Sequence, residues 1–161
     1  MKNCLFIILF LIFPLLGFSQ TDTLDQSGQT EQQEIHSLGK HGIGIAAGFT
    51  TGFGLSYRHY FDKFRVQLTF GPAITLDDFY ASVGLGLMYE LGNSEKTSFY
   101  LYQGSHLLYD SYETYAFFGV GIGLEFVVFK QLSYNIMLGY AAWENFERFL
   151  PTGEMGFYYR F

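Results

Sequence analysis

The chain has 161 residues, 49% of them apolar and 20% aromatic, with 9 basic against 15 acidic side chains and a formal charge of −6. An acidic balance argues against nucleic acid as a partner. The single cysteine, Cys4, excludes a disulfide framework and a thiolate metal site.

Met1-Lys2-Asn3 opens the chain, and an apolar run follows from Cys4 to Phe18, interrupted by Pro14 and closed by Ser19-Gln20. One positive charge, an apolar stretch and a small residue at its end predict a cleaved signal peptide over residues 1–20. The run is shorter than the roughly 20 residues of a spanning helix. Cys4 stands too near the start to be the acylated residue of a lipoprotein. Residues 21–40 hold almost nothing to bury, so a flexible periplasmic leader is expected there.

Residues 41–161 divide into eight alternating segments. In the first, Ile43, Ile45, Ala47 and Phe49 share one face, and Gly42, Gly44, Ala46 and Gly48 the other. After a turn at Thr50-Thr51-Gly52, Phe53, Leu55, Tyr57, His59 and Phe61 oppose Gly54, Ser56, Arg58 and Tyr60. Asp62-Lys63 is a tight hairpin connection, and Phe64, Val66, Leu68 and Phe70 follow. A longer link, residues 72–79, leads to a fourth segment with Val83, Leu85, Leu87, Tyr89 and Leu91 on one face. Residues 92–96 form a turn. In the fifth segment, residues 97–108, Phe99 and Leu101 suit an apolar face but Gln103 and Ser105 do not, so a bulge or an early exit is expected there.

The sixth segment sets Phe118, Val120, Ile122, Leu124, Phe126 and Val128 against Gly119, Gly121, Gly123 and Glu125. Lys130-Gln131 turns the chain into Leu132, Tyr134, Ile136, Leu138 and Tyr140, opposed by Ser133, Asn135, Met137 and Gly139. A loop over residues 142–151 precedes the last segment, where Met155, Phe157, Tyr159 and Phe161 alternate with Glu154, Gly156, Tyr158 and Arg160. Period-2 alternation is the signature of a strand with one apolar face.

Charge placement chooses between two barrels. A secreted lipocalin-like barrel, apolar inside and wet outside, would carry many Lys and Glu on its polar face. Here Lys40, Lys63, Lys96 and Lys130 all fall in the leader or the turns. The polar face holds mostly glycine and small residues, with Arg58, Arg65, Glu90, Glu125, Glu154 and Arg160 as its charges. An eight-stranded interior is just wide enough for side chains to fill, and buried charge must be paired. The six are therefore expected to form an interior ionic network, with the apolar face toward lipid.

Taken together, this alternation, the short turns and the terminal Phe161 resemble the small eight-stranded OmpA/OmpX-type outer-membrane barrels over residues 41–161. The implied fold is all-β: an antiparallel up-and-down transmembrane β-barrel of eight strands, after a signal peptide and a short disordered leader. The resemblance makes Phe157, Tyr159 and Phe161 an assembly signal read by the barrel-assembly machinery. It places a monomeric protein in the outer membrane, against lipid and lipopolysaccharide, with both ends of the mature chain periplasmic. Aromatic residues near both boundaries suit interface belts, among them Phe49 and Trp143 on the outer side.

No cofactor is expected. Glycine pairs such as Gly84-Leu85-Gly86 lie inside strands, whereas a phosphate loop needs a helix at once after its strand. His36, His41, His59 and His106 show no ligand spacing, so no metal site is expected. Ser105 and His106, adjacent on a strand, point to opposite faces and make no catalytic pair without a bulge. Asp77, Asp78, Asp110, Glu113, Glu144 and Glu147 give acidic outer loops, whose carboxylates could bridge divalent cations to lipopolysaccharide. The expected role is non-enzymatic: envelope structure or surface interaction, around a lumen plugged by polar and ionic side chains. The alternatives are a lipid A-modifying enzyme, a narrow pore or a lipocalin-like binder.

Overall fold

The computed structural model describes residues 39–74, 79–94, 96–110, 113–143 and 148–161. The expected signal peptide and nearly all of the leader lie outside the described residues, as do Asp77, Asp78, Glu144 and Glu147.

Eight strands follow in chain order: β1 His41–Gly48, β2 Gly52–Tyr60, β3 Phe64–Ile74, β4 Phe79–Asn93, β5 Thr97–Asp110, β6 Thr114–Phe129, β7 Leu132–Trp143 and β8 Arg148–Arg160. Each pairs with its sequence neighbours, and β1 pairs antiparallel with β8 to close the barrel. Closure pairs the first strand with the last, which satisfies the backbone along the seam in hydrocarbon, where an unsatisfied group costs several kcal/mol. The seam sets Ile43 opposite Tyr159 and Ile45 opposite Phe157.

The wall is apolar outside and polar inside. Leu55 is 67% exposed, and Ile43, Leu68, Ile122 and Leu138 are likewise outward and open. The intervening Arg58, Gln67 and Ser133 are fully buried, and Arg65, Glu125, Glu154 and Arg160 nearly so. Water would not stabilise such an exterior. A wall of this kind suits lipid and rules out the lipocalin-like arrangement.

Several strands run further than the alternation suggested. Pro72 pairs with Ala81 and Ile74 with Phe79, so much of the expected β3–β4 link is ladder. At the other long connection, Trp143 pairs with Arg148. The fifth strand carries no bulge near Gln103, which stands between Leu87 and Val120 in unbroken register. Its two outward polar residues satisfy each other instead, Gln103 Nε2 donating to Ser105 Oγ at 2.9 Å. The register shift between β4 and β5 lies at Glu90/Gly92, beside the turn.

Next to these strands the β1–β2 hairpin is short. Its last pair is Gly48 with Gly52, while the β2–β3 ladder stops at Leu55 with Phe70 and the β1–β8 ladder begins at Ala47 with Met155. Beyond those points β3 and β8 keep a partner on one side only. Each carries a proline there, Pro72 and Pro151, where a residue without an N–H is tolerated.

Candidate functional site

The lumen is the candidate site, and buried side chains from all eight strands and the first turn project into it. Nearest the end where β1 begins and β8 finishes, Glu125 on β6 gathers three guanidinium groups. Arg58 Nη1 donates to its Oε2 at 2.8 Å and Arg65 Nη1 to the same oxygen at 2.9 Å, while Arg160 Nη1 stands 3.7 Å from Oε1. Tyr60 donates its hydroxyl to Oε1 at 3.1 Å, and Glu90 pairs with Arg65. Three cations thus face two carboxylates. Aromatic faces take up part of the excess, since Arg160 lies 3.8 Å from the Tyr60 ring centre and Arg58 4.0 Å from that of Tyr158. Arg58 Nη2 also donates to Gln67 Oε1 at 2.6 Å, and Gln67 Nε2 donates to Thr69 at 3.1 Å, which extends the network along β3.

Five of the six charges named from the sequence meet in this cluster. Glu154 does not. A buried septum of Met88, Tyr100, Tyr102 and Met137 occupies the lumen between. On its far side Glu154 is held by neutral donors: the Thr50 backbone N–H at 3.2 Å, the Thr50 and Thr51 hydroxyls, and the Tyr102 hydroxyl at 3.4 Å. A carboxylate with three or four donors can be buried without a cation. The sequence shows the charge but not which partners the fold brings to it.

Thr50 and Thr51 reach Glu154 because the first turn folds into the barrel. Both are fully buried although they sit at a hairpin tip. Gly52 adopts φ 78°, a left-handed conformation that glycine accepts without strain, and this turns the chain inward. Strands across the lumen make room: a Cβ on Gly104 would lie 2.7 Å from the Thr50 carbonyl oxygen, and one on Gly119 would strike the Thr50 methyl group. Glycines that look like generic small-residue filler therefore form the socket for this turn.

Ser82 and His106 latch the turn. Ser82 Oγ lies 2.9 Å from His106 Nε2, His106 Nδ1 lies 3.0 Å from the Phe49 carbonyl oxygen, and the Phe53 N–H donates to Ser82 Oγ at 3.0 Å. With Nδ1–H donating to Phe49, Nε2 accepts from the serine, so one tautomer satisfies the set. The partner of His106 is thus Ser82, on the neighbouring strand, and not Ser105. Above them Phe49, Phe117 and Trp143 pack ring against ring, with centroids 4.7 to 5.7 Å apart. Phe49, still 40% exposed, and Trp143 thus sit in one aromatic cluster at this end of the barrel, where the alternation expected aromatic residues.

Of the acidic loop residues within the described set, Asp110 donates its N–H to the Glu113 carbonyl at 2.8 Å, and Glu113 accepts from the Tyr115 hydroxyl at 2.8 Å. At the opposite end Tyr159 donates to Gln131 at 2.8 Å, and Phe161 exchanges both backbone hydrogen bonds with His41. A crevice of about 420 Å³ lies outside the β1–β8 seam, lined by Ala47, Phe49, Leu150, Pro151 and Met155. It is apolar and brings no catalytic group together. Among the described residues no three His, Cys, Asp or Glu side chains cluster as metal ligands.

No protein-family model matches the chain, and no curated protein matches it by sequence. Solved structures match it by fold. The N-terminal β-barrel domain of OprF from Pseudomonas aeruginosa superposes with a TM-score of 0.55 at 12% identity, over 78% of this chain and all of that one. The de novo designed protein TMB2.3 gives 0.50 at 18% identity, over 76% and 94% of the two chains. Neisserial surface protein A gives 0.44 at 15%, over 75% and 94%. The chain has the fold of the small eight-stranded outer-membrane barrels, that is, a closed antiparallel transmembrane barrel. In this chain the fold encloses two separate polar groups, with the first hairpin turned into its own lumen.

Proposed function

We propose that the protein is a non-enzymatic integral outer-membrane barrel that anchors a small extracellular surface. The observation that carries this reading is the stacked filling of the lumen: ionic cluster, Met–Tyr septum, inward turn and aromatic cap. A pore needs a continuous wet path, and four successive layers oppose one. The same stack argues against hydrolysis. The Ser82 hydroxyl is fully buried, already accepts from the Phe53 amide, and holds a turn instead of facing a substrate.

Short connections at the end where β1 begins and β8 finishes support a periplasmic location for that end, with the longer loops outward. Outer-membrane lipid and lipopolysaccharide are then the surroundings of the apolar wall. Insertion runs through the barrel-assembly machinery by way of Phe157, Tyr159 and Phe161, and the working form is a monomer. The test is planar-bilayer recording on the folded monomer. The expected result is no steady conductance; stable ohmic steps would refute the closed lumen.

A further inference from the structure

Sequence spacing separates His41 from His59, but the β1–β2 register sets them directly opposite each other on the outer wall. Their Nδ1 atoms lie 3.3 Å apart, and the Tyr57 hydroxyl lies 2.6 Å from the His41 Nδ1. Two nitrogens bound tetrahedrally to one ion, each at about 2.0–2.1 Å, stand roughly 3.3 Å from each other. The spacing of the pair is that of two ligands sharing a cation.

Protons alone satisfy this arrangement poorly. A neutral imidazole offers either one N–H or one lone pair at Nδ1. His41 Nδ1 has two polar neighbours at once, the phenol and the second imidazole, and can serve only one of them well. A cation placed between the rings uses both nitrogen lone pairs, with the Tyr57 oxygen beside it. The rings are already held for this purpose: His41 stacks on Phe161 with centroids 5.8 Å apart, and His59 meets the edge of Phe61 at 4.4 Å. Both histidines are partly exposed, so an ion can enter from water at the rim.

We propose that His41 and His59 form a binding site for a borderline divalent transition-metal ion at the rim where β1 begins and β8 finishes. Imidazole nitrogen selects ions of the Zn²⁺ and Cu²⁺ class over Ca²⁺ and Mg²⁺, and Cu²⁺ binds more tightly than Zn²⁺. Two protein nitrogens leave the remaining positions to water, so the site is open and exchangeable. Its ion ties β1 to β2 next to the closing seam, where His41 also pairs with Phe161 through both backbone bonds. Because the unfolded chain does not hold the rings together, binding stabilises the folded barrel.

The test uses the full mature chain refolded in detergent micelles, with Zn²⁺ followed by calorimetry and Cu²⁺ by electron paramagnetic resonance. One ion per chain is expected, with nitrogen hyperfine structure from two imidazoles and no competition from Ca²⁺. His41→Ala and His59→Tyr should each weaken Zn²⁺ binding by at least about 10-fold and abolish the metal-dependent rise in unfolding temperature. His59→Tyr keeps an aromatic ring on the wall, so a folded barrel remains to be measured if the alanine variant is lost. Absence of binding at millimolar Zn²⁺, or unchanged binding in either folded variant, would overturn the proposal.

Discussion

Replacing Glu125 with Gln removes the charge on which the lower lumen is built. The carboxylate accepts from two guanidinium groups at 2.8 and 2.9 Å and from one phenol at 3.1 Å, with a third guanidinium at 3.7 Å. After the substitution Arg58, Arg65 and Arg160 face Glu90 alone, and the Gln amide N–H group points a donor at donors. Breaking a buried ion pair from one side costs about 3–5 kcal/mol, because an uncompensated charge is left buried. Glu154→Gln provides the contrast. Its partners are neutral, its loss strands no cation, and the hydroxyls of Thr50, Thr51 and Tyr102 can rotate to meet an amide. That change should cost about 1 kcal/mol or less. The assay is urea unfolding from phospholipid vesicles, followed by the fluorescence of Trp143, the chain's one tryptophan, with the slope checked for constancy. Equal losses in the two variants, or a Glu125→Gln loss below about 1 kcal/mol, would refute the division of the lumen into one charge-dependent and one charge-independent group.

Two further outcomes follow from the inward turn and the last strand. Ser82→Ala removes the hydroxyl that joins His106 to the Phe53 amide, so amide exchange at Thr50 should speed up while the barrel loses only about 1–2 kcal/mol; unchanged exchange would mean the turn is held without the latch. Deleting Phe161 should block insertion into the outer membrane in cells yet still allow refolding in detergent. Failure in both settings would show that the residue acts through its His41 contacts and not as an assembly signal.

Much of this fold was legible because a strand's period is two and the apolar face is unbroken. The eight segments, their order and the inward facing of Arg58, Glu125 and Arg160 all follow from alternation. What stayed hidden depends on contacts between residues far apart in sequence. Glu154 looked like a sixth member of the ionic network, since parity puts it in the lumen but not at a height along the axis. The turn at Thr50-Thr51 gave one clue: it was the shortest of the outer connections, flanked by Gly48 and Gly52. Its socket, including Gly104 and Gly119, is set by the register of other strands. The histidine pair was within reach, because a hairpin centred on Thr50 places residues equally spaced before and after it opposite each other, and His41 and His59 are such a pair. Linear spacing, the usual guide to metal ligands, conceals a site formed across a ladder. At Gln103 two misplaced polar residues looked like a break in the strand, but hydrogen-bonded to each other they leave the ladder regular.

The prolines on β3 and β8 bear on how this protein behaves in a crowded bilayer. Where the short first hairpin falls away, each neighbouring strand presents a flank that another copy could extend by adding a strand of its own. Pro72 and Pro151 stand on those flanks, offering no amide hydrogen and fixing the local backbone. Neither flank offers an unbroken row of amide donors for strand addition. The positions beside the short first hairpin are thus the ones where the sequence places residues without an amide hydrogen.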